Sequence, residues 1–339
     1  MGIMGSKDKV PDFSVVVPVY NAAHCLDLFF VQLEKLDKSG VEFIFVDDGS
    51  SDGSSAMLES FCMDRRYTRL IKIEHGGVSV ARNAGIALAE GRYLMFLDAD
   101  DSYVPGIFSV LREKLRESHA DIIVFGANVR NYDKLDAIED ISPRDIIYRN
   151  FEPYALFCEN GARPYVWNCA YRLQFIRENN IRFDPGISLG EDHLFQFTAF
   201  PRAHVIQFIS DKLYCYNYLK CSSAMIMYLR DPALRYSAHI TVVSDVLNLS
   251  AANGLDSAQE LLWRWVYDLL SIDVRKLNFS QSKVALEKFR TLLKENDLKI
   301  SGLKISCKLK FLLNSCTNLF LQYLFKLRYV VTRHRKRSR

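Results

Sequence analysis

The sequence predicts an α/β fold: a mostly parallel sheet flanked by helices, followed by a helical C-terminal region. Three observations predict it. Short apolar runs rich in β-forming residues alternate with segments whose apolar residues recur at helical spacing, the pattern of parallel strands joined by right-handed crossovers. The apolar runs end abruptly in polar, acid-bearing turns, as strands do where an open α/β sheet meets its ligand. From residue 232 to 296 the strand-like runs cease and helical spacing takes over.

The first run, Phe13-Ser14-Val15-Val16-Val17-Pro18-Val19-Tyr20-Asn21, reads as a buried strand closed by a turn-forming Asn. Residues 25–36 then place Leu26, Phe29, Phe30, Leu33 and Leu36 at helical spacing. A second strand, Phe43-Ile44-Phe45-Val46, runs into Asp47-Asp48-Gly49-Ser50-Ser51-Asp52-Gly53-Ser54, where glycines permit tight turns. A helix over 55–64 and a third strand, Leu70-Ile71-Lys72-Ile73, follow. Next come His75-Gly76-Gly77 and a helix opening near Val78. Close backbone approach and a helix amino end both suit a phosphate. Arg82, one turn in, can pair with a diphosphate or an acidic loop, or sit in a surface ion pair.

The run Tyr93-Leu94-Met95-Phe96-Leu97 delivers Asp98, Asp100 and Asp101 at its carboxyl end. Clustered carboxylate oxygens there suit Mg²⁺ or Mn²⁺ carrying substrate phosphates, and on this segment alone fit a solvated turn as well. A helix over 110–116 and a strand over 121–126 come next, then a polar, irregular stretch over 128–151 with no assignable role. Residues 165–176 are aromatic and then helical in spacing. Gly190-Glu191-Asp192-His193 opens an apolar helix over 194–200 and reads as its first turn, where the macrodipole stabilises carboxylates with or without catalysis. Residues 203–218 read as a strand pair carrying Tyr214, Tyr216 and Tyr218. Farther on, Leu261, Leu262, Trp265, Val266, Leu269 and Leu270 form one packing stripe.

At 339 residues, 49% hydrophobic and 25% charged, the chain has the composition of a globular protein with ample core, which excludes a disordered one. Its eight cysteines are scattered, with no paired or zinc-like spacing, as in a cytosolic protein with reduced thiols. The net charge of +4 hides an asymmetry: from Leu298 onward there are eleven basic residues and no acid, so residues 1–297 carry 33 basic against 40 acidic groups. No uncharged run reaches the ~20 apolar residues of a spanning helix, and residues 1–11 read as a polar leader without a signal-peptide core. In the tail, residues 301–339, Leu309, Leu312, Leu313, Cys316, Phe320, Tyr323, Leu324, Leu327 and Val331 follow helical spacing among flanking Lys and Arg. Such a basic amphipathic helix suits the surface of an anionic membrane, each basic group contributing about 1 kcal/mol; packing on its own domain is the other reading. Nucleic acid is not expected as a partner, because the acidic body repels phosphate backbones.

Taken in order, Val15-Val16-Val17-Pro18-Val19-Tyr20-Asn21, Phe45-Val46-Asp47-Asp48-Gly49-Ser50-Ser51-Asp52, Ala81-Arg82-Asn83-Ala84-Gly85, Leu97-Asp98-Ala99-Asp100-Asp101 and Gly190-Glu191-Asp192 resemble the family 2 glycosyltransferases. Trp167-Asn168 with Tyr171-Arg172 is similar to the branch that builds bacterial lipopolysaccharide and capsule sugars. The resemblance implies a GT-A (Rossmann-like) fold over residues 12–225; residues beyond about 220 match no signature, and the helical region over 226–300 is read from its spacing. The resemblance also implies an inverting transfer from a nucleotide-sugar with Mn²⁺ or Mg²⁺; with the basic amphipathic tail, a UDP-linked donor and a lipid-linked glycan acceptor are expected. One sugar per acceptor is expected, because the chain is too short to add a transmembrane bundle. Such an enzyme would lie in the cytoplasm, peripheral on the inner face of the bacterial plasma membrane.

By this resemblance Pro18, Tyr20 and Asn21 adjoin the nucleotide base, with Tyr20 suited to stack on uracil, and Asp47 hydrogen-bonds the base. Arg82 lies near the nucleotide. Asp100 binds the metal, Asp98 leans toward ribose or a metal-bound water, and Asp101 is left as a turn or N-cap residue. Asp192 is the base, with Glu191 and then His193 as alternatives. His75-Gly76-Gly77 departs from the family's usual Asn and single Gly. A non-catalytic nucleotide-sugar or carbohydrate-binding module of the same fold is the rival reading, which the intact acids oppose. A nucleotidyltransferase would need a Gly- and Lys/Arg-rich loop after Val19, and none is there.

Overall fold

The structure, a computed structural model, describes residues 10–131, 141–162, 165–218, 228, 230–252, 255–274 and 276–295. Most of the polar leader and the whole basic tail lie outside the described residues. The chain forms two compact units, Met1–Lys220 and Cys221–Arg339.

In the first unit, β1 (Phe13–Val19), β2 (Val41–Asp47), β3 (Thr68–Lys72) and β4 (Tyr93–Phe96) alternate with α1 (Ala23–Glu34), α2 (Ser54–Cys62) and α3 (Val78–Leu88). The four strands pair in parallel in the order β3-β2-β1-β4. β1 and β2 are buried almost throughout, which is why they read as continuous apolar runs rather than alternating ones. At Gly85 a Cβ would lie 2.3 Å from Val16 Cγ1, so only glycine lets α3 pack this closely on β1.

Past β4 the sheet becomes mixed. β5 (Ser102–Tyr103), α4 (Ile107–Ser118), β6 (Ile122–Asn131), β7 (Ile146–Arg149), α5 (Pro153–Phe157), β8 (Cys169–Arg172), α6 (Leu173–Glu178), α7 (Glu191–Ala199) and β9 (Val205–Tyr218) complete the unit. β8 inserts antiparallel between β4 and β6, and β9 runs parallel to β6. β5 and β7 both pair antiparallel with β9, at opposite ends of it.

Three segments depart from the sequence reading. The 165–176 stretch contains the strand β8, whose four residues are too few to show a period. The polar 128–151 stretch contains the end of β6 and all of β7. Residues 203–218 form one long strand rather than a pair. Two register shifts beside Gly126 absorb the extra residues as a bulge: Val124 faces Phe208, but Gly126 faces Lys212.

The second unit is helical: α8 (Pro232–Ala252), α9 (Gln259–Val274) and α10 (Phe279–Glu295). Leu262, Trp265, Val266 and Leu270 of the predicted stripe are buried. The carboxylate of Asp273, fully buried, lies 2.6 Å from His239 Nδ1 and 3.0 Å from Arg235 Nε. This is an internal ion pair in the helical packing.

Candidate active site

The parallel register carries two polar turns to one edge. Val19 faces Asp47 across β1 and β2, and the Asp48 amide donates to the Val19 carbonyl at 2.8 Å. Pro18, Tyr20, Asn21 and Asp47 therefore share the carboxyl edge of the sheet. Asp47 is buried and accepts the Ser50 amide at 3.0 Å. Asn21, at φ +49°, accepts the Ser51 amide at 2.8 Å while its own amide donates to Ser50 Oγ at 3.0 Å, which ties the two turns together.

Asp48 drew no separate role from the sequence, yet it organises this edge. Its Oδ1 accepts the Gly76 amide at 2.8 Å, and its Oδ2 accepts the Gly77 amide at 2.9 Å and meets His75 Nδ1 at 2.9 Å. The acid doublet was the only signal, and it did not say which acid holds the loop. His75 lies flat on Tyr20, ring centroids 4.0 Å apart and planes 15° from parallel. The family departure at His75 thus adds a ring beside the expected base-stacking tyrosine, and the loop keeps its anchor on Asp48.

The second cluster forms around Arg82, which is buried. Its Nη2 lies 3.1 Å from Asp98 Oδ1, and its Nη1 lies 2.9 Å from Glu191 Oε1 and 2.8 Å from Asp192 Oδ1. Phe183 and Phe96 pack near the guanidinium, 5.2 and 6.0 Å from centroid to Cζ. Burial opposes the charge on Arg82, but the fields of Asp192, Asp98 and Glu191 outweigh it and hold the group cationic. Of the sequence's alternatives for Arg82, the acidic loop is the partner found and the surface ion pair is ruled out.

Glu191 and Asp192 occupy the first turn of α7 after Gly190 at φ +85°. Burial pushes Asp192 up to about 8, with Glu191 and Asp98 adding to it and Arg82 pulling the other way. His193 is buried. Asp192, not His193, meets Arg82.

At the end of β4 the three aspartates part company. Burial, then the charge of Asp98, pushes Asp100 up to about 6. Asp101 closes the turn read from the sequence, its amide donating to the Asp98 carbonyl at 3.1 Å, and it is also buried, accepting the Tyr214 hydroxyl at 2.8 Å and the Asn217 amide at 2.6 Å. It holds β9 against the acid loop, because a buried carboxylate needs donors and these two are in reach. Among the described residues no group of three or more candidate side chains forms a metal cage. Asp98 and Asp100 still fit a divalent ion. Their repulsion is what a cation relieves, and Mg²⁺ or Mn²⁺ needs only one or two carboxylates when phosphates supply the rest.

The chain resembles known proteins in sequence and in fold. Residues 14–178 match glycosyl transferase family 2. The uncharacterized glycosyltransferase EpsJ of Bacillus subtilis is 29% identical over 211 residues, 61% of each chain, so this chain spans about three fifths of that relative's length. The glycosyltransferase GlyG of Streptococcus pneumoniae is 27% identical over 217 residues, 60% of this chain and 70% of that one. Among solved structures, Staphylococcus aureus TarS 1–349 in complex with UDP-GlcNAc superposes with a TM-score of 0.66 at 20% identity, covering 84% of this chain and 83% of that one. The likeness shows a shared GT-A fold. Residues 14–178, which contain Tyr20, Asp47, Arg82, Asp98 and Asp100, thus form a glycosyl transferase family 2 domain.

Proposed function

We propose that the protein is an inverting glycosyltransferase that moves one sugar from a UDP-sugar to a lipid-linked oligosaccharide or polysaccharide acceptor. The observation that carries this reading is the Arg82 cluster, which joins the acid loop after β4 to the acids of α7 in a single site. The donor's base lies at the β1–β2 edge against Tyr20 and Asp47, and its diphosphate lies toward Asp98 and Asp100. A divalent ion held by Asp100 and Asp98 would neutralise charge building on the diphosphate as the glycosidic bond breaks. Asp192 takes the proton of the acceptor hydroxyl as its oxygen attacks the anomeric carbon from the face opposite the diphosphate, which inverts the configuration. The raised pKa of Asp192 suits it to this work near neutral pH.

UDP is favoured because the TarS structure that shares this fold holds UDP-GlcNAc. A lipid-linked acceptor is favoured by the basic amphipathic sequence of residues 301–339, which would hold the enzyme on the inner face of the bacterial plasma membrane and raise the effective concentration of both partners. No helix of the described residues is long and apolar enough to cross a membrane. Release of UDP from a panel of UDP-sugars, with Mn²⁺ and a lipid-linked acceptor, tests the reaction. GDP- and dTDP-sugars complete the panel. No turnover of any donor by wild type, or full activity in Asp100→Ala, overturns the reading. Equal flotation on anionic vesicles with and without residues 303–339 overturns the membrane assignment.

A further inference from the structure

Beside the acids stands a set of aromatic rings that the transfer chemistry leaves unused. Trp167 of the β8 approach lies nearly parallel to Tyr214 and Tyr216 of β9, at 4.3 Å and 18°, and 5.4 Å and 6°. Tyr165 stacks on Trp167 at 4.5 Å and 25°, with Tyr216 6.1 Å away. Trp167 and Tyr214 are buried, whereas Tyr165 and Tyr216 are half-buried. The arrangement is a rigid inner layer carrying an accessible outer one.

Its position matters as much as its composition. Asn217, next to Tyr216 in β9, donates its backbone amide to Asp101 Oδ1 at 2.6 Å and its side-chain amide to the Asp100 carbonyl at 2.9 Å, which sets Tyr216 beside the acid loop. At the other end, Tyr165 precedes Val166, whose backbone amide donates to the Asp192 carboxylate, and the Tyr165 carbonyl accepts from Gln196 Nε2 of α7 at 2.7 Å. The wall therefore runs between the acids assigned to the diphosphate and the acid assigned to the acceptor hydroxyl.

We propose, on the transferase reading above, that Tyr165 and Tyr216 form the acceptor subsite and that the acceptor ends in a pyranose sugar. A pyranose presents one face of C–H groups to the negative face of an aromatic ring, while its hydroxyls stay at the rim. Polyol-phosphate chains and plain lipid alcohols have no such face. With the ring laid on this wall, one rim hydroxyl faces Asp192. That oxygen bonds the anomeric carbon as the bond to the diphosphate oxygen breaks, and its proton passes to Asp192.

The test begins with the wild-type full chain and no donor. Saturation-transfer NMR with a set of methyl pyranosides is expected to show transfer to ring C–H protons, and glycerol phosphate and ribitol phosphate are expected to show none. In turnover, Tyr165→Ala is expected to raise the acceptor KM about tenfold, with Tyr165→Phe close to wild type, because the ring and not the hydroxyl supplies the contact. The Kd for UDP, measured without acceptor, is expected to move less than about twofold in either variant. Equal transfer to polyol phosphates, or an unchanged acceptor KM in Tyr165→Ala, overturns the proposal. Parallel movement of acceptor KM and UDP Kd assigns the wall to the donor and overturns it as well. Failure of wild type to bind UDP strikes the transferase reading instead, and the pyranoside spectra still decide the wall. If Tyr165→Ala does not fold, Tyr216→Leu with the same readouts and the wild-type spectra decide it.

Discussion

Arg82 Nη1 lies 2.8 Å from Asp192 Oδ1, although the two residues are 110 positions apart in the chain. The same guanidinium also holds Glu191 and Asp98, so a single buried cation balances three carboxylates. Arg82→Ala leaves those carboxylates without it, and the expected loss of stability is on the order of 3–5 kcal/mol, read from denaturant midpoints. Arg82→Lys keeps the charge but cannot fork to three partners, and is expected to fall between. A loss below about 1 kcal/mol for Ala would mean the cluster is solvated and not buried.

The pH dependence of turnover has a definite sign. A general base works only when deprotonated, and burial places Asp192 at about 8. On the proposed mechanism kcat/KM rises with pH through a limb near 8, and Asp192→Asn removes the limb and lowers kcat by about 10²–10⁴. A limb at about 4, where an unperturbed Asp titrates, would exclude Asp192 as the base.

On the proposed metal assignment, activity depends on Asp100. EDTA is expected to abolish activity and Mn²⁺ to restore it, and Asp100→Asn is expected to raise the Mn²⁺ needed for half-maximal activity by about 10–100-fold. Because burial and Asp98 raise Asp100 to about 6, apparent Mn²⁺ affinity should weaken as pH falls through that value, since a protonated carboxyl is a poor ligand. Manganese titrations at several pH values check both points; a pH-independent affinity would remove Asp100 from the site.

His75 covers one face of Tyr20 and is held by Asp48. On the proposed donor orientation, His75→Ala frees the Tyr20 ring to move and is expected to raise the Kd for UDP and for UMP alike by about 2–10-fold. His75→Phe, which keeps a ring there, should recover most of the loss. Calorimetry showing an effect on UDP but none on UMP would place His75 at the second phosphate instead.

Asp101 predicts a stability effect outside the chemistry. Asp101→Ala leaves the buried Tyr214 hydroxyl and the Asn217 amide without their acceptor, at a cost of about 1–3 kcal/mol. A thermal melt unchanged from wild type would show that water replaces the carboxylate.

The sequence by itself determined the four parallel strands, the three helices between them and the turns that bear acids, because local apolar periodicity and abrupt polarity changes are written within a few residues. It also placed Asp47, Arg82, Asp98, Asp100 and Asp192 at strand ends or in a helix's first turns, while Tyr20 and the choice of Asp100 over Asp101 came from the resemblance to family 2 glycosyltransferases. Tertiary structure decided what these residues do to one another. The four-residue strand β8 was hidden because its pairing partners, β4 and β6, lie far away in the chain. The division of labour between Asp47 and Asp48, and between Asp100 and Asp101, was hidden for the same reason. Which acid holds the glycine loop and which holds β9 depends on Gly76, Gly77, Tyr214 and Asn217, and only folding brings those donors within hydrogen-bond distance. Arg82 shows the limit most plainly: the sequence offered it a diphosphate, an acidic loop or the surface. Its partners in the fold are three carboxylates from two distant segments, gathered round one buried guanidinium.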